Sequence, residues 1–323
     1  MRDTFRMILS GSRPRTWALS LCPVLIAALS AFHDVHAFEK TKRIPSWAYF
    51  MQHDGRLILL SAVVAVSLQV CANFANDYLD GVRGIDKARS ADAPARLNSQ
   101  ASGIRIARCA AIVSATIGAC AGIAAVLVSK QYWLIAVGII CIGAAWSYSS
   151  FFSARGWGET LAFIFFGPVL VWSISWLLTA QIGKFSIAAG IQCGCMSALV
   201  MLINNMRDAQ SDEQSGKRTV VVRWGLDRAF SGACAVMGVV WIIEMMYALT
   251  LYHMFGYDLI GDLGILYAFS VAAFLSMSFR SMRCLRAAIR RPQFYRNAFA
   301  LMNELMLLLT VNYVVLYVVV NAL

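Results

Sequence analysis

Two short stretches concentrate carboxylates in a chain that contains few of them. The 323 residues include only 17 Asp and Glu, and three of these acids, Asp77, Asp80 and Asp86, fall in the stretch NDYLDGVRGID. If this stretch ends a helix, Asn73, Asp77 and Asp80 are spaced i, i+4, i+7 and share one face over two turns. Two glycines follow, so we expect the helix to end there and Asp86 to lie in the loop beyond it.

The second stretch reads NNMRDAQSDEQSGKRT and begins at Asn204. Here Asn204, Asp208 and Asp212 are spaced i, i+4, i+8, which again places them on one helix face. A glycine ends the predicted helix, and Lys217 and Arg218 follow it. The chain therefore carries two helix ends of similar design, each with an Asn and at least two Asp.

Carboxylates on one helix face repel one another, and at a membrane boundary they are poorly solvated, so a cation between them would stabilise the arrangement. Hard oxygen ligands favour Mg²⁺ or Ca²⁺ over zinc. Mg²⁺ commonly takes one or two carboxylates and completes its shell with water and substrate phosphates. The predicted metal ligands are Asp77, Asp80, Asp86, Asp208 and Asp212.

Basic side chains next to both stretches suit the phosphate charge that such a metal leaves unbalanced. They are Arg83, Lys87, Arg207, Lys217 and Arg218. The pattern as a whole predicts a clamp for a Mg²⁺-bound diphosphate. Acidic helix ends that are merely solvated are the alternative, but two clusters with matching spacing disfavour it.

The elements that must position these residues are transmembrane helices. The chain is 59% hydrophobic with a mean hydropathy of +0.65, and 14% of its residues are charged, against about 25% in soluble domains. Long continuous apolar runs favour spanning helices over a β-barrel. We predict an all-α polytopic membrane protein with nine spans, at 16–32, 56–76, 104–128, 132–152, 159–179, 185–206, 229–252, 259–280 and 300–322.

The distribution of Lys and Arg sets the predicted orientation. With a cytoplasmic N-terminus, the inside segments hold 22 of these residues and the outside segments hold 6, as expected for positive charge on the cytoplasmic side. Both acidic clusters then face the cytoplasm, and the net charge of +11 needs no nucleic acid partner to explain it. One membrane domain, residues 1–323, is expected, with a possible repeat of helices 1–4 in helices 5–8.

NDYLDGVRGID together with RDAQSDEQSGKRT resembles the two Asp-rich motifs of the UbiA superfamily of intramembrane prenyltransferases. Within it, RPRTWALSLCPVL, YSSFFSARGWGE and GKRTVVVRWG make the chain most similar to the 1,4-dihydroxy-2-naphthoate polyprenyltransferases of menaquinone synthesis. The chain departs from that branch at Ala93 and at Ser150, Phe151 and Phe152, where the family commonly carries Gly or Pro. The last three lie in a region that shapes the acceptor side.

The resemblance implies a fold, a reaction and a set of site residues. A Mg²⁺-bound polyprenyl diphosphate loses diphosphate, and the aromatic acceptor captures the prenyl group and loses CO₂. The enzyme would lie in a bacterial cytoplasmic (inner) membrane with its active site facing the cytoplasm. The prenyl tail of the substrate would reach into the lipid bilayer. The expected catalytic residues are Asp77, Asp80, Asp208, Asp212 and Tyr148. The expected substrate-binding residues are Asn73, Asn204, Arg83, Lys217, Arg218, Arg155, Arg13 and Arg15.

Two alternatives remain at this point. A sister enzyme of the same fold would prenylate another acceptor, such as 4-hydroxybenzoate. A membrane transporter would carry acids near the bilayer midplane and broken helices in corresponding halves, whereas here the acids gather at one predicted surface.

Overall fold

The structure, a computed structural model, describes residues 2–38, 47–83, 101–147, 152, 155–255 and 262–322. Over these residues all regular secondary structure is helical. The helices are α1 Arg2–Gly11, α2 Ala18–Phe38, α3 Trp47–Arg83, α4 Ala101–Ser129, α5 Leu134–Ser147, α6 Gly158–Ile164, α7 Leu170–Thr179, α8 Lys184–Gln214, α9 Val220–Trp224, α10 Leu226–Phe255, α11 Asp262–Arg290 and α12 Tyr295–Ala322. A π-helical turn, Phe165–Val169, joins α6 to α7, and 3₁₀ turns precede α2 and α12.

Eight helical segments of the described chain are long and apolar enough to cross a membrane: α2, α3, α4, α6 with α7, α8, α10, α11 and α12. They coincide with eight of the nine predicted spans, and the protein is an integral membrane protein. The remaining predicted span, 132–152, corresponds to α5, of which 14 residues are described. That length covers about 21 Å, less than a hydrocarbon core of about 30 Å. Nine spans and a cytoplasmic N-terminus therefore stay predictions.

Helices α2 and α8 form the centre of the bundle. In their spanning segments 78% and 72% of the residues are buried, against 33% in α10 and α11. The outer helices expose large apolar side chains, as Ile242, Met246 and Leu249 do along one face of α10. Such a surface is stable where lipid covers it. The central position of α8 matters because this helix ends in the second acidic cluster.

Glycines bring α8 close to the π-helical turn. A Cβ atom built on Gly167 would lie 2.3 Å from the backbone oxygen of Gly190 and 2.6 Å from Cα of Gly194. Small residues allow membrane helices to approach closely. This contact fixes the lateral position of α8 against the segment from Gly158 to Thr179.

Candidate active site

The first acidic cluster lies on the last two turns of α3, as predicted. Asp77 and Asp80 are only 1% and 0% exposed. The N-terminal segment covers the helix at Asp77 and Asn73, and Lys217 lies against Asp80. Asn73 donates from Nδ2 to the backbone oxygen of Ser12 at 3.3 Å. Arg13 pairs with Asp77, with 2.9 Å between Nη2 and Oδ1. The first cluster is thus already partnered by a basic side chain from far along the sequence.

A strained turn delivers Arg13 to this position. Its φ angle is 52°, in the left-handed region that non-glycine residues enter at a cost and only where surrounding contacts hold them. Those contacts come from α3: Gln69 donates from Nε2 to the backbone oxygen of Thr16 at 2.8 Å, and Ser20 donates to Oε1 of Gln69. Pro14 then sets the 3₁₀ turn that leads into α2.

The second acidic cluster lies on the last turns of α8, whose end is shaped by Gly216. Its φ angle is +76°, and its N–H donates to the backbone oxygen of Glu213 at 3.0 Å. The N–H of Lys217 donates to the backbone oxygen of Asp212 at 2.9 Å. These two bonds form a Schellman motif, the common glycine-dependent end of a helix. The motif reverses the chain and returns Lys217 to the helix end beside Asp212.

Lys217 joins the two clusters. Its Nζ lies 3.7 Å from Oδ2 of Asp80 on α3 and 3.8 Å from Oδ1 of Asp212 on α8. The lysine side chain is 16% exposed. Asp208 makes a bidentate pair with Arg207, at 2.8 Å for both hydrogen bonds. The fold therefore brings Asp77 and Asp80 to the same basic-lined surface as Asp208 and Asp212, although the two pairs lie more than 120 positions apart in sequence.

A cavity of about 1200 Å³ opens at this surface. Its polar end is lined by Arg13, Arg15, Asn73, Asn76, Asp77, Asn204, Asn205, Arg207, Asp208, Asp212, Lys217 and Arg296. Asp80 is absent from the lining, consistent with its burial beneath Lys217. Toward the other side of the bundle the lining becomes apolar, with α4, α5 and the π-helical turn as walls. Along α3 the lining runs from Asp77 to Ser61, 16 residues or about 24 Å of helix.

The remaining predicted site residues fall into two groups. Arg155 and Arg218 are exposed and do not line the cavity. Arg223 donates to the backbone oxygen of Arg155, which ties the loop before α6 to the segment after α8. Tyr148, Asp86, Lys87 and the side chain of Arg83 lie outside the described residues, so their placement stays a prediction.

Three functional candidates were missed by the sequence analysis. Asn205 lines the cavity and donates from Nδ2 to Oε1 of Glu159 at 2.8 Å. Glu159 stands at the start of α6 in the stretch GWGE, where it is the one acid before a long apolar run. Arg296 is the second residue of α12 and also lines the polar end. In the sequence it comes shortly after several other arginines, so no local pattern distinguishes it from that basic segment.

The donor set fits a magnesium ion held jointly with a substrate. Among the described residues, His, Cys, Asp and Glu form no group of three or more placed to hold a metal ion. The carboxylates pair instead with Arg13, Arg207 and Lys217. Mg²⁺ needs only one or two carboxylates when phosphate oxygens and water supply its other ligands. A metal-bound diphosphate would draw on both parts of this arrangement, the carboxylates for the metal and the basic side chains for phosphate oxygens.

Comparison with known proteins identifies the family. The model of the UbiA prenyltransferase family matches residues 44–303, which include both clusters. The chain belongs to the UbiA prenyltransferase family. This membership agrees with the resemblance of the two Asp-rich motifs and with the all-helical membrane fold.

Curated proteins similar to this chain share one description. A 1,4-dihydroxy-2-naphthoate octaprenyltransferase of Mycobacterium tuberculosis is 36% identical over 250 residues, which cover 75% of this chain and 79% of that protein. The Escherichia coli protein of the same description is 28% identical over 262 residues, covering 77% and 79%.

Solved structures agree at the level of the fold. A UbiA homologue from Aeropyrum pernix, in its apo form, superposes with a TM-score of 0.65 at 14% identity and covers 96% of this chain and 99% of its own. A UbiA homologue from Archaeoglobus fulgidus, bound to DMAPP and Mg²⁺, has a TM-score of 0.51 at 13% identity, covering 76% and 78%.

Proposed function

We propose that this protein transfers a polyprenyl group from polyprenyl diphosphate to 1,4-dihydroxy-2-naphthoate, with loss of CO₂ and diphosphate, in menaquinone biosynthesis. The observation that carries the proposal is the cavity itself. Two carboxylate clusters and their basic partners form its polar end. The cavity extends about 24 Å along α3 from Asp77 to Ser61, and its lining is mainly apolar beyond the polar end. This suits a substrate with a highly charged head and a long hydrocarbon tail. The acceptor is supported by the description shared by the curated relatives.

The chain's basic residues would bind the diphosphate. Arg13 and Lys217 each stand beside a buried carboxylate and can exchange part of that contact for phosphate oxygens, to which charged donors bind strongly. Mg²⁺, held with the phosphates by Asp77, Asp208 and Asp212, would supply charge neutralisation for the leaving group. Asp80, beneath Lys217, would hold that lysine in place.

The reaction balances without a redox partner. The C–O bond of the allylic diphosphate breaks, and the electron pair leaves with diphosphate. The ring carbon that bears the carboxylate of the acceptor bonds to the allylic cation. The carboxylate then leaves as CO₂, and its bonding electrons restore the aromatic ring, giving the quinol form of demethylmenaquinone. Phe165 and Phe166 line the cavity and would offer aromatic surface to the cation.

The polar end of the cavity would face the cytoplasm of a bacterial inner membrane. This orientation is supported by the charge distribution, 22 Lys and Arg on that side against 6 on the other. The apolar end of the cavity would then extend into the hydrocarbon region, where the prenyl tail of the substrate resides.

The test is an acceptor comparison with purified protein in detergent. Farnesyl diphosphate and Mg²⁺ are supplied with either 1,4-dihydroxy-2-naphthoate or 4-hydroxybenzoate, and products are identified by mass. The proposal expects prenylated naphthoquinol with released CO₂, lost on adding EDTA. Product from 4-hydroxybenzoate alone would overturn the acceptor while keeping prenyl transfer. Absence of product with both acceptors would overturn the proposed activity.

A further inference from the structure

We propose that Arg296 is the residue that recognises the carboxylate of the aromatic acceptor, and that the first turns of α12 form the acceptor-binding wall of the cavity. This inference rests on the proposed function, which requires two anionic substrates at one site. It assigns the second of them to a helix outside both Asp-rich motifs.

Arg296 lies at the same depth as the acidic cluster of α8. Tyr313 on α12 donates to Oε1 of Gln192 on α8 at 2.8 Å, and Tyr317 contacts the ring of His33, which itself contacts Phe185. The two helices therefore run antiparallel. Arg296 is 17 residues before Tyr313, which is about 26 Å of helix. The same distance after Gln192 reaches Ala209, next to Asp208.

The charge pattern separates Arg296 from the diphosphate-binding residues. Arg13, Arg207 and Lys217 each make an ion pair with an aspartate of the clusters. Within the described part of the chain, the ion pairs include neither Arg15 nor Arg296, although both line the same cavity. Arg15 lies beside Arg13 in the turn before α2, whereas Arg296 stands apart on α12. The positive charge of Arg296 is thus available to an anion that the clusters do not hold. A carboxylate is the anion whose planar shape a guanidinium matches with two parallel hydrogen bonds.

The neighbours of Arg296 on α12 suit an aromatic ring rather than a phosphate chain. Phe299 and Asn303 follow at i+3 and i+7 on the same face, and both line the cavity. Asn303 donates from Nδ2 to the backbone oxygen of Phe299 at 2.8 Å. Its Oδ1 is buried and accepts no hydrogen bond within the described residues. Rotation of this side-chain amide would let Oδ1 accept a hydrogen bond from a ring hydroxyl. Phe299 would supply an aromatic surface for the ring.

A pair of acceptor analogues isolates the carboxylate contribution. We compare equilibrium binding of 1-hydroxy-2-naphthoate and of 1-naphthol, which lacks the carboxylate, to wild-type protein and to Arg296→Gln. Arg291→Gln is the matched control, since Arg291 is also exposed but does not line the cavity. Binding is measured by ligand fluorescence in detergent with Mg²⁺, alongside binding of farnesyl thiodiphosphate.

We expect Arg296→Gln to lower the affinity for 1-hydroxy-2-naphthoate about tenfold or more, the scale of a lost hydrogen bond to a charged group. The affinities for 1-naphthol and for farnesyl thiodiphosphate should stay at the wild-type level. Equal binding of the acid by wild type and variant, an equal loss in Arg291→Gln, or a loss confined to farnesyl thiodiphosphate would each overturn the inference. Since binding is measured without turnover, absence of catalysis with the naphthoate in wild type would refute the proposed function separately.

Discussion

Replacing Lys217 by Met should make the site bind metal more tightly while it turns over more slowly. The ammonium lies 3.7 Å from Asp80 and 3.8 Å from Asp212. At an effective dielectric constant of about 20, each contact is worth about 4 kcal/mol before desolvation. A divalent cation approaching these carboxylates must compete with that charge, and in the Met variant it does not.

We expect Mn²⁺, used as a spectroscopic substitute for Mg²⁺, to bind Lys217→Met at least about tenfold more tightly than wild type. That change corresponds to about 1.4 kcal/mol, well below the direct Coulomb value because water screens the 16%-exposed lysine. Turnover should fall by about 10² to 10³, as when one preorganised donor to a developing anion is removed.

Mn²⁺ affinity is measured by electron paramagnetic resonance, and turnover by the prenyl transfer assay. Lys217→Arg, which keeps the charge, and Arg218→Gln, which changes an exposed neighbour, should both retain wild-type metal affinity. Unchanged or weaker Mn²⁺ binding in Lys217→Met would refute the idea that this lysine holds the place of a cation between the two clusters.

Two further predictions concern glycines. Gly138 on α5 lines the apolar part of the cavity with no atom within 4 Å of a Cβ position, so Gly138→Phe should fill the tail channel and shift product preference to shorter prenyl chains. Gly143 has equal space but does not line the cavity, and Gly143→Phe should keep the wild-type product length; equal effects in both variants would contradict the channel. Gly167→Ala should lower the melting temperature, because its Cβ would overlap Gly190 and Gly194 and overpacking costs about 1–3 kcal/mol. A melting temperature within one degree of wild type, read by fluorescence in detergent, would show that these helices are not held as closely as described.

The sequence was sufficient for the parts of the site that obey local periodicity. The i, i+3 spacing places Asp77 below Asp80 on α3, the i, i+4 spacing places Asp208 below Asp212 on α8, and Gly216 correctly marks the end of α8. Eight of the predicted spans follow from continuous apolar runs alone. These features depend on residues within a few turns of one another, so a pattern in the chain determines them.

Contacts between distant segments were beyond such patterns. The pairing of Arg13 with Asp77 joins residues 64 positions apart and depends on a left-handed turn that a sequence containing Arg rather than Gly does not suggest. Lys217 was predicted to neutralise phosphate, but its contact with Asp80 depends on how α3 packs beside α8. The span predicted at 132–152 stays a prediction, because only 14 residues of its helix, Leu134–Ser147, are described. An apolar run indicates burial in lipid or protein without fixing the length of the helix.

The measurement that tests the central claim most directly is binding of farnesyl thiodiphosphate, which resists ionisation, to wild type, Asp77→Asn, Asp208→Asn and the double variant, each with Mg²⁺ and with EDTA. Asn keeps the shape of the Asp side chain while removing its charge. Arg13 and Arg207, which lose their ion-pair partners, remain accessible to solvent. If one metal-bound diphosphate bridges both clusters, wild-type protein binds farnesyl thiodiphosphate only with Mg²⁺. Each single variant should then bind it at least about tenfold more weakly than wild type. The double variant then loses less than the sum of the two changes, because the sites are coupled. Farnesyl thiodiphosphate binding that is unchanged by EDTA, or single variants that bind it as tightly as wild type, would contradict the account.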